Sequence, residues 1–252
     1  MDYITTFERV EMKYVLTAAQ QEEFMKRIED HVRPNAYPHS DITSIYFDSD
    51  SYKLIRNSLD KPEYKEKLRL RCYGNINNDS NVFFEAKKKY HGITYKRRQD
   101  MTYRQAKDYI LFDRLPCNTQ IMNELDYLKN GNEPLEPKVL INYQRDSYDG
   151  IGEQDLRITF DYDVKFSLNN LVLSNRNFEY DLTGPDIRIL EIKTIYAMPL
   201  WLTKILDEMH IYPGNFSKYG NIYRNYIQKE ERKCYQVYST QSIPAHSQLQ
   251  II

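Results

Sequence analysis

The stretch FFEAKKKYHGITYKRR, residues 83–98, decides the fold of this chain. It contains six Lys and Arg residues and a single acid, yet the pattern between its charges is that of a β-hairpin. Side chains alternate between the two faces of a strand, so Glu85, Lys87 and Lys89 share one face. At the start of the first strand, the side chains on the opposite face are apolar. The stretch therefore predicts two adjoining strands that present cations on one face.

The turn of this hairpin sets its register. A two-residue turn at the His-Gly dipeptide places Lys87 opposite Lys96. It also places Glu85 opposite Arg98 on the charged face, and it leaves Arg97 on the outer face. A surface hairpin could carry such charge without any function, so this hairpin alone leaves both interpretations open.

The same alternation recurs in four other segments, where charged side chains occupy one face and apolar side chains the other. The charged-face residues are Arg9, Glu11 and Lys13; Lys67, Arg69 and Arg71; Arg157, Thr159 and Asp161; and Glu191 and Lys193. A sheet with one solvated face also alternates, but it usually mixes Thr, Ser, Gln and both charges. Lys and Arg dominate here, and neighbouring like charges are costly unless an anion neutralises them.

We therefore predict an α+β fold, namely a closed antiparallel β-tunnel barrel with a charged interior, flanked by helices. A polyanion would neutralise the charged inner wall, and the helices would cover the apolar outer face. We predict one domain over residues 1–237. The tail over residues 238–252 lacks periodicity, and we predict that it is mobile.

The helices are predicted from apolar spacing and from capping residues. Thr17 is expected to cap a first helix. Residues 103–130 predict two helices, the second of them capped by Asn118. Pro199 begins a further helix, and residues 216–230 form the last one.

Composition and charge exclude several functional classes. The net charge is −1 over 252 residues, so the cations are concentrated locally and a general nucleic-acid-binding surface is not expected. The longest apolar stretch, residues 195–202, is too short to span a bilayer, and no signal-peptide pattern opens the sequence. Cys72, Cys117 and Cys234 have neither metal nor disulfide spacing. We expect reduced thiols in a cytoplasmic protein without a membrane span.

Eight motifs follow one another along the chain. They are Arg9-x-Glu11-x-Lys13-Tyr14, Tyr46-Phe47-Asp48-Ser49, Lys67-x-Arg69-x-Arg71, Glu85-x-Lys87, Arg145, Arg157, Glu191-x-Lys193 and Phe216-Ser217-Lys218-Tyr219. Their order resembles that of the polyphosphate polymerase domain of the vacuolar transporter chaperone (VTC), which belongs to the triphosphate tunnel metalloenzymes, or CYTH superfamily. The resemblance covers residues 5–228, and it implies a closed antiparallel β-tunnel flanked by helices.

The first motif departs from the pattern of the wider superfamily. The usual Glu-x-Glu-x-Lys appears here as Arg9-x-Glu11-x-Lys13, so a cation replaces one metal-binding carboxylate. This replacement favours a polyphosphate-binding member of the superfamily over the small-substrate triphosphatases and adenylyl cyclases.

The resemblance implies a metal-dependent ATP–polyphosphate phosphotransferase, which transfers the terminal phosphoryl group of ATP to a growing polyphosphate chain. The attacking oxygen is already anionic, so alignment and charge neutralisation can replace a general base. The implied catalytic residues are Arg69, Arg71, Lys87, Arg145, Arg157 and Lys193. The implied phosphate- and nucleotide-binding residues are Lys13, Lys67, Lys89, Lys96, Arg98 and Lys218.

The resemblance also implies a divalent cation, Mn²⁺ or Mg²⁺, bound through oxygen ligands. Glu191 is its first implied ligand, and Glu11 and Glu85 are weaker candidates. Asp161 could serve equally in a metal site or in an ion pair. The implied ligands of the protein are ATP and inorganic triphosphate or polyphosphate, and a tunnel open at both ends would let the product leave as it grows.

Two other functional classes remain open. A hydrolase on the same tunnel would release phosphate from inorganic triphosphate or from a nucleoside triphosphate. A non-catalytic module would bind polyphosphate or a nucleotide and act with a partner protein. A polymerase could also pass its product to a membrane partner. Nucleic acid is a weaker alternative, because the predicted lumen is too narrow for bases.

Overall fold

A computed structural model of the chain describes residues 9–60, 63–91, 93–153, 155–195 and 197–230, and of Arg9 only the backbone. The predicted mobile tail, residues 238–252, lies outside the described residues, as does Cys234. The domain boundary at residue 237 stays a prediction. Cys72 and Cys117 are free thiols in the described part of the chain.

Nine strands in the described part of the chain form one antiparallel sheet. They are β1 (Arg9–Thr17), β2 (Val32–Asp48), β3 (Tyr64–Tyr73), β4 (Asn81–Tyr90), β5 (Ile93–Thr102), β6 (Glu136–Gly150), β7 (Arg157–Ser167), β8 (Tyr180–Asp181) and β9 (Ile187–Ile195). The order across the sheet is β1-β9-β7-β6-β2-β3-β4-β5, and the short β8 pairs with β7. Sheet and helices together make the predicted α+β fold.

The helices of the described residues flank this sheet. They are α1 (Ala18–Ile28), α2 (Lys53–Leu59), α3 (Tyr103–Phe112), α4 (Gln120–Asn130), α5 (Leu200–Glu208) and α6 (Lys218–Ile222), which continues as a π-helical turn (Tyr223–Ile227). The sequence predicts all of them except α2. Thr17 caps α1 by accepting a hydrogen bond from the N–H of Gln20 at 3.1 Å, as predicted. Thr119 rather than Asn118 caps α4, because its hydroxyl accepts from the N–H of Met122 at 3.1 Å.

The β4–β5 hairpin has the predicted register. Lys87 pairs with Lys96, and Glu85 pairs with Arg98. Arg97 points to the outer face, where its guanidinium forms an ion pair with a glutamate of α4 at 2.8 Å. The second turn residue lies outside the described residues. The pairing on both sides of it is the pairing that a two-residue connection gives.

A single ion pair shows how strongly the sheet curls. Glu11 of β1 and Lys87 of β4 lie 2.9 Å apart, although six strand-to-strand steps separate β1 from β4 in the sheet. In a flat sheet those steps would span roughly 29 Å. The sheet therefore curls until β1 faces β4. Its edge strands, β1 and β5, share no ladder of hydrogen bonds in the described residues, so the predicted closure of the barrel is not confirmed.

Two buried clusters cover the outer, convex face of the sheet. In the first, Tyr109 of α3 packs edge-to-face against Phe84, which in turn contacts Phe47. In the second, α1 and α5 cover β1, β7 and β9, and Phe24 of α1 lies 6.1 Å from Phe160 between ring centroids. The apolar positions of the predicted alternation thus form the convex face, which leaves the charged positions on the concave face.

A third buried cluster lies on the concave face. It joins Val139, Ile141 and Tyr143 of β6 to Tyr219 and Ile222 of α6. The last helix therefore enters the concave side of the sheet and covers part of it. In the described residues, a charged concave surface borders an apolar cluster and a helix, and the tunnel open at both ends stays a prediction.

The carboxylate of Asp48 fastens two helices to the end of β2. It is fully buried, and it accepts hydrogen bonds from the N–H groups of Leu54 (2.8 Å) and Ile55 (3.0 Å) in the first turn of α2. The hydroxyl of Tyr219 in α6 donates to it at 2.9 Å. A buried acceptor with several donors contributes strongly to stability, because its loss leaves those donors without partners.

We expect Asp48→Ala to lower the free energy of unfolding by about 3 kcal/mol, because the buried donors would stay unpaired. Urea unfolding followed by circular dichroism measures this effect. Asp50→Ala is the matched control, since the Asp50 side chain is exposed and has a salt bridge with Lys138 at 2.7 Å. Equal stability of the two variants would contradict the role given to Asp48.

Candidate functional site

Strand register brings the predicted charged residues together on the concave face. Lys13 of β1 pairs with Glu191 of β9, which pairs with Thr159 of β7. On the other half of the sheet, Lys67 of β3 pairs with Lys87 of β4. Because the sheet curls, both halves line one surface, which we call the concave site. Its charged residues are Glu11, Lys13, Lys67, Arg69, Arg71, Glu85, Lys87, Lys96, Arg98, Arg145, Asp161, Glu191, Lys193 and Lys218.

Glu85 is the centre of the first group of charges. Its carboxylate is almost fully buried, and it accepts from Arg69 at 2.7 Å, from Lys96 at 2.9 Å and from Arg98 at 2.6 Å. Burial raises the pKa of Glu85, but Arg69, Arg71 and Lys96 outweigh burial and hold the pKa well below its ordinary value. Glu85 therefore stays ionised and holds the cations of the two neighbouring strands, β3 and β5, in place.

Asp161 is the centre of the second group. The Arg145 guanidinium binds it with two nitrogens, at 2.5 and 2.8 Å, and the Lys218 ammonium at the start of α6 binds the same carboxylate. Burial raises the pKa of Asp161, whereas Lys218 and Arg145 lower it, and the result is a pKa of about 2. This carboxylate therefore fixes the position of α6 relative to the sheet.

Glu191 and Glu11 form the third group. Glu191 lies 2.9 Å from Lys193 and 3.5 Å from Arg145, which thus bridges Asp161 and Glu191. Burial raises the pKa of Glu191, but Lys193, Lys13 and Arg145 hold it well below its ordinary value. Glu11 contacts Lys13 at 3.9 Å and Lys87 across the opening of the sheet. Each buried carboxylate of the site thus has cationic partners from more than one secondary-structure element.

The low pKa of Asp161 predicts a specific acid sensitivity. A carboxyl group whose pKa is lower in the folded state stabilises the fold above its unfolded value of 3.8, and this stabilisation is lost as the pH falls towards about 2. Between pH 7 and pH 3, Asp161→Asn should therefore lose about 1 kcal/mol less free energy of unfolding than the wild type. Urea titrations at both pH values measure the difference.

Asp163→Asn is the control for this titration, because Asp163 is half exposed and pairs with Lys165 at 3.2 Å. This substitution removes a carboxyl group of the same strand that does not contact Arg145 or Lys218. A pH dependence of Asp161→Asn equal to that of the wild type would show that Asp161 does not titrate in the stated range.

A row of like charges crosses the other half of the concave site. Lys67 pairs with Lys87, and Lys87 pairs with Lys96 on the next strand. Burial and the nearby Lys13 and Lys87 lower the pKa of Lys67 to about 8, against an opposing effect of Tyr46. The Lys67 ammonium donates to the hydroxyl of Ser217 at 3.1 Å. Such a row is stabilised by any anion that bridges it.

Three predicted residues are placed less centrally. Arg71 is buried and donates to Ser44 and to Tyr143, each at 3.2 Å. Arg157 and Lys89 are exposed, and Arg157 lies beside Lys193 in the register of β7 and β9. Arg157 and Lys89 extend the cationic surface outward, whereas Arg71 holds neighbouring side chains.

The predicted residue set lacked several polar partners of the cations. Ser217 holds Lys67, the carbonyl of Phe216 accepts from Lys13 at 3.4 Å, and Tyr143 holds Arg71. The sequence could predict that Tyr143 faces the charged side, because it precedes Arg145 by two positions on the same strand and therefore shares its face. Ser217 and Phe216 belong to the motif Phe216-Ser217-Lys218-Tyr219, in which the resemblance implies a role only for Lys218.

The three glutamates implied as metal ligands do not meet at one point. Glu85 lies in its own group, and the described residues contain no cluster of three or more His, Cys, Asp or Glu side chains that could hold a metal ion. Glu191 and Glu11 lie next to each other on paired strands. The hydroxyl of Thr159, which is paired with Glu191, is buried and has no hydrogen-bond partner. Mg²⁺ is commonly held by one or two carboxylates, with phosphate oxygens and water completing its shell, so this oxygen set fits such a cation.

The sequence pattern of the VTC domain family matches residues 8–226. The chain therefore belongs to the VTC domain family. No protein with a curated description matches it. In the described part of the chain, the helices lack the length and apolar character that a bilayer crossing needs.

Three solved structures are similar to this chain. A candidate adenylate cyclase from Bacillus halodurans has a TM-score of 0.53 at 14% identity, over 86% of this chain and 97% of that chain. A candidate adenylyl cyclase from Hippeastrum, described as having a dominant triphosphatase activity, has a TM-score of 0.48 at 14% identity, over 86% and 95%. A candidate adenylate cyclase from Vibrio parahaemolyticus has a TM-score of 0.43 at 12% identity, over 86% and 98%. The first of these supports the fold assignment.

Proposed function

We propose that this chain is a polyphosphate polymerase that transfers the terminal phosphoryl group of ATP to a polyphosphate chain bound in the concave site. The observation that carries the proposal is the row of Lys67, Lys87 and Lys96 on three adjacent strands of a VTC domain. The spacing between phosphates along a polymer is short enough for one chain to contact successive cations of such a surface. Cations of the concave site clearly outnumber its carboxylates, so a polyanion would neutralise the excess charge.

The proposed mechanism relies on alignment and charge. The guanidinium groups of Arg69 and Arg145 offer forked donors to phosphate oxygens, and the lysines act as point charges. The nucleophile is an anionic phosphate oxygen, so no residue has to remove a proton from it. Glu191 and Glu11 would hold Mn²⁺ or Mg²⁺, which supplies neutralisation of the transferring phosphoryl group when bound.

The ion pairs of the site also explain how it stays folded before substrate binds. Arg145 is shared between Asp161 and Glu191, and Arg69 is held by Glu85. Phosphate oxygens would join these partners without leaving any guanidinium uncompensated. Preformed donors of this kind need little reorganisation when substrate binds, which favours catalysis by positioning.

A hydrolase of triphosphate is the second candidate function. The cluster of α6 against β6 supports it, because this cluster covers part of the concave face and would obstruct a polymer that had to pass through. A hydrolase needs room only for a short substrate and its products. The non-catalytic binding module remains the third candidate.

Incubation of the purified chain with ATP and Mn²⁺ distinguishes the candidates, with a stained gel for long polyphosphate and a parallel assay of free phosphate. Long polymer with little free phosphate is the expected result. Free phosphate without polymer would overturn the polymerase in favour of the hydrolase. Neither product, together with calorimetric binding of inorganic triphosphate, would indicate a binding module. ATP as substrate makes the cytoplasm the proposed location, and a membrane partner for the product stays a prediction.

A further inference from the structure

The hydroxyl of Tyr46 lies among the cations of the concave site. Tyr46 is on β2, and it pairs with Arg69 of β3 and with Val139 of β6. The Arg69 guanidinium donates to the Tyr46 oxygen at 3.3 Å. The Tyr46 ring lies 5.2 Å from that of Tyr219 in α6, which orients it towards the charged surface.

The charged groups that act most strongly on this oxygen are positive. They are Lys67, Arg69 and Arg71 from β3 and Lys13 from β1, while the carboxylate of Glu85 on β4 shares the Arg69 guanidinium with Tyr46. The neighbour on β6 is the apolar Val139, and α6 contributes a tyrosine whose own hydroxyl donates to Asp48. The hydroxyl oxygen of Tyr46 thus lies where a phosphate oxygen of a bound triphosphate would contact the same cations.

This environment changes the acidity of the phenol. Burial raises the pKa of Tyr46, but Arg69, Arg71 and Lys67 outweigh burial and lower the pKa to about 7. Above that pH, the free protein holds a phenolate among its cations. A phenolate and a phosphate oxygen in contact would repel each other, so both anions cannot persist side by side.

We propose that Tyr46 is a phosphate ligand of the concave site, and that its phenolate takes up one proton from water when a triphosphate binds. The proposal rests on the proposed function, and it adds a ligand and a pH dependence to that site. A buffer acid in the surrounding water releases this proton and is left as its conjugate base, so one bond to hydrogen breaks in the buffer as the phenol O–H bond forms. The phenol O–H then donates to a phosphate oxygen, while Arg69 exchanges its contact with the phenolate for one with the phosphate.

Proton uptake on binding determines the direction in which the affinity for triphosphate changes with pH. When binding takes up a proton, affinity falls as the pH rises, because the proton becomes scarcer. The affinity of the wild type for triphosphate should therefore decrease above about pH 7, by up to tenfold per pH unit for one linked proton. Tyr46→Phe keeps the ring and lacks the titrating oxygen, so this part of the pH dependence should vanish in the variant.

Calorimetry with inorganic triphosphate tests the proposal directly. Titrations at about pH 8.5, in Tris and in HEPES, give the number of protons taken up per triphosphate, because the two buffers differ in heat of ionisation. The wild type should take up about one proton more than Tyr46→Phe, and the difference should disappear at about pH 6. The variant measures what the triphosphate and Lys67, whose pKa is about 8, contribute.

Tyr219→Phe is the matched control, because it removes the hydroxyl of the facing ring and should leave proton uptake unchanged. A second measurement needs no variant: triphosphate should reduce the ultraviolet absorbance of ionised tyrosine in the wild type at about pH 8.5. Equal proton uptake by wild type and Tyr46→Phe, with triphosphate bound by both, would overturn the Tyr46 proposal alone. Failure of the wild type to bind triphosphate would overturn the proposed function, and the Tyr46 proposal with it.

Discussion

Glu191→Gln is expected to lower the rate of phosphoryl transfer at least about a hundredfold while inorganic triphosphate still binds. Glutamine has the size of glutamate but lacks its charge, so the variant loses the better of two carboxylate ligands for a divalent cation. Lys193 and Arg145, which now pair with Glu191, would become freer to contact phosphate. Turnover of ATP with Mn²⁺ measures the first effect, and calorimetry without metal measures the second.

Glu66→Gln is the matched control for this experiment. Glu66 is also a largely buried glutamate in an ion pair, with Lys88 at 3.0 Å, but it lies on the convex side of β3. Its substitution should leave turnover within about twofold of the wild type. If Glu191→Gln turned over ATP at the wild-type rate, Glu191 would hold no metal and the proposed chemistry would need other ligands.

Arg69→Ala is expected to weaken the binding of inorganic triphosphate by roughly 10- to 100-fold, because charge-assisted hydrogen bonds contribute about 1.5–3 kcal/mol each. Arg69 is the guanidinium of the concave site that contacts both Glu85 and Tyr46. Glu85 keeps Lys96 and Arg98 as partners in the variant, so its carboxylate stays paired and the fold should persist. Calorimetry gives the affinity, and thermal unfolding verifies that the variant is folded.

Arg97→Ala provides the comparison, since Arg97 belongs to the same hairpin but pairs with Glu124 on the outer face. Removal of either arginine changes the net charge equally, so long-range attraction of the anion falls by the same amount. Only Arg69 should form direct hydrogen bonds with the bound triphosphate. Equal affinities of the two variants would mean that triphosphate does not contact the concave surface of β3.

The hairpin of residues 83–98 was predictable to the level of individual pairs. Its two strands alternate cleanly, and a two-residue turn permits one register, which places Lys87 opposite Lys96. Antiparallel strands with one apolar face also predict which side chains share the other face. The same alternation predicts the charged residues of β1, β3, β7 and β9 without any knowledge of their neighbours in the sheet.

Features that depend on distant contacts were not predictable in this way. The local sequence of α6 does not predict that Tyr219 packs on the concave side against β6. The apolar spacing of this helix would suit any apolar partner. Whether the edge strands β1 and β5 meet likewise depends on the curl of the whole sheet, and in the described residues they share no ladder of hydrogen bonds.

Alternation also cannot tell a metal ligand from a counterion. The sequence treats Glu85 and Glu191 alike, since each precedes a lysine by two positions on a strand. The structure separates them, because Glu85 is surrounded by cations alone in the described part of the chain, whereas Glu191 has Glu11 beside it in addition to Lys193 and Arg145. The partners that decide the role of a carboxylate come from other strands of the curled sheet.

A crystal structure of the protein with inorganic triphosphate bound would test most directly the central claim that the concave site binds phosphate. We predict phosphate oxygens within hydrogen-bond distance of Arg69 on one half of the sheet and of Lys13 or Lys193 on the other. Triphosphate held instead in the separate cavity of about 560 Å³, which Arg176 and Lys165 line, would contradict the account. In that case the concave charges would be internal ion pairs and the site of phosphate chemistry would lie elsewhere.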